Sequence, residues 1–223
     1  MPVHAVIPVK NLNGSKHRLS SVFTPHERRQ LTLAMLKDVI KAVKGSDISK
    51  IVVSANDPQV SQVARELDVS FFSPSQDGLN PAIEEATNRC FKDGADSVVV
   101  LPADLPLLRS EEVNRVISFG NAKSTSIVIC PSWDWGTNAL LLKVPKVILP
   151  RFGPNSFIEH ICQALSNGIS VMLYSSLGIS TDIDCARDLR KLFEIENHTE
   201  CKRVLEIISK NNLKAKKIAT FKL

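Results

Sequence analysis

The chain has 223 residues, 43% of them hydrophobic and 23% charged, a globular composition that excludes wholesale disorder. Its net charge of +5 suits an anionic substrate, while 5% aromatic residues argue against a stacking platform for nucleic acid. No apolar run approaches the ~20 residues that span a bilayer, so no membrane partner is expected.

The N-terminus lacks the apolar core and cleavage site of a secretory leader, and a cytoplasmic protein is the expectation. The cysteines (Cys90, Cys130, Cys162, Cys185, Cys201) are scattered and odd in number. They read as reduced thiols, neither a disulfide frame nor a zinc site. Lys202, Arg203, Lys210, Lys214, Lys216, Lys217 and Lys222 gather near the end and read as a solvated helix face. Asn197-His198-Thr199 has the form of a glycosylation acceptor, which without a secretory signal is a chance match.

Ala5 to Ile7 predicts a short buried strand, followed by a loop with Lys10, Lys16 and Arg18 around Asn11, Asn13 and Gly14. In an open α/β sheet, such a loop at the carboxyl end of the first strand is a usual place for a ligand. Three cations with free backbone N–H groups suit a polyphosphate, and a merely solvated loop is the alternative. The glycine spacing fits neither a Walker loop nor a dinucleotide fingerprint.

Thr24 to Val43 predicts a helix with Thr24 as N-cap, Pro25 first and Glu27 closing a capping box. Lys50 to Ser54 predicts a buried strand, Asp57-Pro58 caps a helix to Leu67, and Val69 to Phe72 is the next strand. Asp77 and Asn80 follow in a turn-rich loop; both can reach a base edge, although Asn80 also suits an N-cap before Pro81. Ser97 to Leu101 is the clearest central strand. This alternation predicts an α/β fold with a mostly parallel mixed sheet and helices on both faces.

Asp104 comes directly after the central strand, within Pro102-Ala103-Asp104-Leu105-Pro106, and Ser110-Glu111-Glu112 opens the next helix. A carboxylate at that strand tip can hold a metal over a phosphate, or form an ordinary Asx turn. Ser126 to Cys130 and Asn138 to Lys143 are too close for a crossover helix and predict antiparallel neighbours. One domain over 1–223 is expected, with 126–150 as an antiparallel arm whose Trp133 and Trp135 would make a homodimer contact.

Gly153-Pro154-Asn155-Ser156 leads into a helix to Leu165, where its N–H groups and hydroxyl suit an anion or simply cap the helix. Ser170 to Tyr174 predicts another strand. Asp182 and Asp184 then project to one side of an extended segment. Two like charges so placed favour Mg²⁺ or Mn²⁺ between them, while Asp184 can instead cap the helix from Cys185 to Phe193. A last helix runs from Glu200 to Asn211.

Together these segments resemble the 2-phospho-L-lactate guanylyltransferase family of deazaflavin coenzyme F-420 biosynthesis. The resemblance is carried by Ile7-Pro8-Val9-Lys10 with Lys16 and Arg18-Leu19, and by Ala34-Met35-Leu36-Lys37-Asp38-Val39. It continues in Pro102 to Pro106, Gly136-Thr137-Asn138-Ala139-Leu140, Phe152-Gly153-Pro154 with Ser156, and Asp182-Ile183-Asp184. It implies a nucleotidyltransferase fold like that of nucleotide-diphospho-sugar transferases, and GMP transfer from GTP to the phosphate of 2-phospho-L-lactate. The residues it implies are Asp104, Asp182 and Asp184 as ligands of Mg²⁺ or Mn²⁺, with Lys16 and Asp104 catalytic. Lys10, Lys16 and Arg18 would face the nucleotide phosphates, and Thr137, Gly153 and Ser156 would hold the phosphorylated three-carbon acid; Asp77 and Asn80 are nucleotide candidates from the loop reading alone.

Two departures stand out. Trp135 replaces a glycine frequent in the family, which predicts a differently shaped acceptor pocket, and Asn155 replaces another. Asn tolerates left-handed backbone, so the second change need not disturb the turn. A phosphate nucleophile needs no general base, so none of His4, His17, His26 and His160 is given a catalytic role. Phosphoenolpyruvate or a sugar phosphate is the alternative acceptor; the rival from another class is a nucleotide-binding protein without catalysis.

Overall fold

The computed structural model describes residues 2–14, 16–121, 126–143, 148–194 and 199–211. Seven strands form one sheet: β1 (Val3–Pro8), β2 (Lys50–Ser54), β3 (Ser70–Phe72), β4 (Ser97–Val100), β5 (Ser126–Pro131), β6 (Thr137–Leu142) and β7 (Ser170–Leu173). Their order is β3-β2-β1-β4-β6-β5-β7. β1 pairs in parallel with β2 and β4, β2 with β3, and β5 with β7. β6 runs antiparallel to both of its neighbours, β4 and β5. One edge of the sheet therefore gathers the carboxyl ends of β1 and β4 and the amino end of β6.

Eight helices are described: α1 (Pro25–Lys44), α2 (Pro58–Glu66), α3 (Leu79–Lys92), α4 (Ser110–Asn121), α5 (Ser156–Ser166), α6 (Leu177–Ser180), α7 (Ala186–Glu194) and α8 (Glu200–Asn211). Strand side chains alternate between the two faces. Ala5, Ile7, Val53, Val99 and Leu141 pack with α1, α2 and α4 on one face. Val6, Val52, Val98 and Val100 pack on α3, and Ile127, Ile129, Leu140 and Leu142 on α5, on the other. With both faces covered, the strands read as continuous apolar runs, each buried side chain contributing roughly 1.5–3 kcal/mol.

The capping box forms as the sequence predicts: Glu27 N donates to Thr24 Oγ1 at 3.3 Å, and Thr24 N to the Glu27 carboxylate at 2.7 Å. Asp57 caps α2 through Gln59 N at 2.8 Å. The start of α3 departs from expectation. Gly78, at φ 108°, is the N-cap, a conformation that L side chains rarely adopt, so the helix starts before Asn80. Asn80 lies inside the first turn and is not a cap.

The 126–150 segment is not a projecting arm over its described residues. β6 lies between β4 and β5, and β5 between β6 and β7, inside the sheet. Ile127 to Cys130 and Ala139 to Leu142 are apolar toward both faces, and an arm would leave one face in water. Trp133 and Trp135, in the turn, are 69% and 60% exposed.

A further apolar cluster joins α7 and α8 to α1 through Leu31, Met35, Leu189, Leu192, Cys201 and Leu205. Asp38 of α1 fastens α8 there, accepting from Glu200 N at 2.7 Å and Cys201 N at 2.8 Å. Burial raises its carboxyl to about 6 against the opposing pull of those N–H groups. All five cysteines are free thiols. Among the described residues no helix is long and apolar enough to cross a membrane. Asn197-His198 and the lysines beyond Asn211 lie outside the described residues.

Candidate active site

The loop after β1 is pinned by buried Leu12 and Leu19, which sit in two short 3-10 turns, Leu12–Gly14 and His17–Leu19. Between them Lys16 takes a left-handed backbone, φ 52°, unusual for a residue with a Cβ. Its ammonium turns inward, 2.5 Å from Asp104 Oδ2 and 2.6 Å from Asp184 Oδ1. Lys10 and Arg18 stay exposed at the rim.

Asp104 follows β4, and its carbonyl accepts from Ile183 N at 3.1 Å, drawing Asp182-Ile183-Asp184 alongside. The N–H groups of Asp184 and Cys185 donate to Asp188 Oδ2 at 3.1 and 2.8 Å. Asp188 thus takes the capping role at α7, and the Asp184 carboxylate faces Lys16. Asp182 accepts from Asn138 Nδ2 at 3.2 Å.

These charges shift one another. Burial raises the Asp182 carboxyl to about 6, with Asp104 and Asp184 adding repulsion and Asn138 opposing. Burial would raise Asp184 as well, but Lys16, Arg18 and Lys10 hold it below the ordinary carboxylate range. Burial disfavours the Lys16 ammonium, yet Asp104 and Asp184 more than offset this and raise its pKa.

No three acidic, His or Cys side chains converge as metal ligands among the described residues, because the Lys16 ammonium lies between two of the three carboxylates. The donor chemistry nevertheless fits a hard divalent cation. Asp104 Oδ1 is buried without a hydrogen-bond partner, and three carboxylates supply oxygen ligands of the preferred kind.

The opposite wall is built on β6 and α5. Thr137 begins β6 and Ser156 begins α5; Ser156 Oγ donates to Thr137 Oγ1 at 3.1 Å. His160, one turn along α5, places Nδ1 3.0 Å from Thr137 Oγ1, while its Nε2 accepts from Arg151 N at 2.9 Å. Gly153 (φ 147°) and Asn155 (φ 58°) both adopt positive φ in the turn before α5. Asn80 holds the same loop from the other side, accepting from Phe152 N at 2.7 Å and donating to Phe152 O at 3.1 Å.

Lys10, Lys16, Arg18, Asp104, Asp182 and Asp184 line one cleft of about 770 Å³ together with Thr137, Gly153 and Ser156. Asp77 lines an adjoining cavity of about 350 Å³, which shares Lys10 and Asn11 with the first. Asn80 lines neither, its amide being engaged by Phe152. Trp135 takes φ 66°, but its exposed ring tilts toward Phe157 at 6.2 Å and is not part of the cleft wall. The departure at Trp135 thus leaves no indole in the pocket. His160 was invisible as a site residue in sequence, where a lone histidine on an amphipathic helix has no local signature.

An α/β sheet of this order, with a basic loop after its first strand and carboxylates at the same edge, defines the nucleotidyltransferase fold. A crystal structure from Desulfovibrio desulfuricans G20, described as a nucleotide-diphospho-sugar transferase, shares it at TM-score 0.80 and 17% identity, over 98% of this chain and 99% of that one. The chain belongs to the guanylyl transferase CofC-like family, which it matches over residues 3–219. It is 36% identical over 192 residues to the phosphoenolpyruvate guanylyltransferase of Rubrobacter xylanophilus, covering 86% of this chain and 94% of that protein. It is 34% identical over 202 residues to the 2-phospho-L-lactate guanylyltransferase of Methanocaldococcus jannaschii, covering 90% and 87%.

Proposed function

We propose that this chain transfers GMP from GTP to the phosphate of 2-phospho-L-lactate, giving lactyl-diphospho-guanosine and pyrophosphate for deazaflavin coenzyme synthesis. The observation that carries the reading is the common cleft: loop cations and carboxylates on one side, a hydroxyl wall on the other. Family membership supports the guanylyl chemistry.

An acceptor phosphate oxygen bonds to the α-phosphorus of GTP as the bond from that phosphorus to the bridging oxygen breaks. The electron pair leaves with pyrophosphate. The acceptor phosphate is already ionised at neutral pH, so the chain need supply no base. Lys10 and Arg18 bind the triphosphate at the rim, and Lys16 draws it toward the centre. Thr137, the Gly153 backbone and Ser156 hold the acid so that its phosphate faces the α-phosphorus. Asp104, Asp182 and Asp184 would hold Mg²⁺ or Mn²⁺, which when bound neutralises phosphate charge as it moves to the leaving group.

Phosphoenolpyruvate is the second reading of the acceptor, favoured by the name of the Rubrobacter relative. The test is pyrophosphate release with GTP and Mg²⁺, comparing both acceptors and none. Release that needs 2-phospho-L-lactate and falls sharply with ATP, CTP or UTP is expected. Release with phosphoenolpyruvate alone keeps the chemistry and changes the acceptor, and no release from folded protein overturns the reading.

A further inference from the structure

Behind the acceptor wall, three polar side chains meet away from solvent: Thr137, Ser156 and His160 are 6%, 1% and 0% exposed. Their protons can be assigned from chemistry. A backbone N–H can only donate, so Arg151 N fixes His160 Nε2 as an acceptor. A neutral imidazole that accepts at Nε2 carries its proton on Nδ1. Burial favours that neutral form, lowering the His160 pKa to about 4.

Nδ1–H therefore donates to Thr137 Oγ1, which also receives the Ser156 hydroxyl. A threonine hydroxyl has two lone pairs and one proton. With both lone pairs occupied, it can act toward a ligand only as a donor. No described residue accepts that proton, and Thr137 lines the cleft.

We propose that His160 is a positioning residue: through Nδ1–H it makes Thr137 an obligate hydrogen-bond donor to the anionic acceptor. Through Nε2 it holds the Arg151-Phe152-Gly153 stretch against the same wall. The device selects ligands that present oxygen acceptors, such as phosphate or carboxylate, over those that present an N–H or O–H. The inference rests on the reading of this wall as the acceptor site.

Two substitutions separate the ends of the ring. In His160→Gln the amide oxygen can reach the Nε2 position and accept from Arg151 N, while nothing donates at Nδ1. In His160→Asn the amide nitrogen lies near the Nδ1 position and can still donate to Thr137, while the Arg151 contact is lost. His160→Gln is expected to raise the acceptor KM about tenfold with the GTP KM unchanged, the scale of one hydrogen bond to a charged group. His160→Asn is expected to keep the acceptor KM close to wild type.

A histidine that only fills space would affect both variants alike, and that result, or an unmoved acceptor KM in His160→Gln, overturns the proposal. Long-range ¹⁵N–¹H NMR of the unaltered chain at pH 7 tests it without any variant. The Nδ1–H tautomer is expected, and the Nε2–H tautomer overturns the assignment. Wild-type protein without acceptor-dependent pyrophosphate release would instead overturn the functional reading, and the role toward an acceptor with it.

Discussion

Lys16 and Asp104 lie 88 positions apart in sequence, yet the lysine ammonium is 2.5 Å from the carboxylate, with Asp184 on its other side at 2.6 Å. The Lys16 side chain is only 7% exposed, so this cation neutralises the acidic centre from within. Removing it leaves the carboxylates of Asp104 and Asp184, 25% and 42% exposed, to repel one another without their shared cation. Lys16→Met should therefore lower the thermal midpoint and cut kcat/KM for GTP about 100-fold or more. Mg²⁺ should raise the midpoint more in the variant than in the wild type. Wild-type kinetics in Lys16→Met would remove the lysine from the site.

Asp104→Asn keeps the size of the side chain and removes its charge. Turnover should fall at least about 100-fold, on the scale of losing a major electrostatic contribution, while circular dichroism reports an intact fold. Chelation with EDTA should abolish wild-type turnover, and added Mg²⁺ or Mn²⁺ should restore it. Turnover near wild type in Asp104→Asn would sink the assignment.

His160 predicts a pH dependence of stability. Its pKa is lowered to about 4 in the folded chain, against 6.5 for an unperturbed imidazole. The unfolded chain thus binds more protons between those values, and the stabilisation present above pH 6.5 is lost as pH falls toward 4. Between pH 7 and pH 5, wild type should lose about 2 kcal/mol relative to His160→Asn in denaturant unfolding. Asp38 and Asp182, both raised to about 6, have the opposite sign, with stability favoured at acid pH and lost on passing through 6. They are present in both proteins and cancel in the difference. Parallel curves would show that His160 is not buried in its neutral form.

Asn80 offers a test of two roles. Its two bonds to the Phe152 backbone predict that Asn80→Ala raises the acceptor KM and lowers stability by about 1–3 kcal/mol. A residue reading the base would instead relax the preference for GTP over ATP. Kinetics with both nucleotides at several acceptor concentrations distinguish the two.

The elements were largely legible in sequence because their signals are local. Thr24-Pro25-His26-Glu27 starts a helix by chemistry contained within one turn, and Ser97 to Leu101 is apolar and β-branched enough to be a buried strand. Partnership across the chain was less legible. The apolar residues of β6 announce burial on both faces, and its short connection to β5 announces that antiparallel neighbour, but nothing local announces β4 on its other side. Asn80 carries the local marks of a cap, and only the arrival of Phe152 from 72 positions away gives its amide another use. The cleft residues were found as short segments; the insertion of Lys16 between two carboxylates depends on three loops meeting. His160 acquires its place from Thr137 and Arg151, neither of which is near it in any sequence pattern.

The reversed direction of β6 has a consequence for how such a protein can change. The basic and acidic side of the cleft hangs on loops after β1 and β4, whereas the hydroxyl side hangs partly on the hairpin between β5 and β6. A hairpin can be lengthened, shortened or recoloured between its strands without moving a crossover helix or altering strand order. Under the proposed function, substitutions at 132–136, where Ser132, Asp134 and Gly136 line the cleft, would retune the acceptor side while leaving the loops after β1 and β4 unchanged. Within a family whose members bear two different acceptor names, that turn is where divergence has the least to disturb.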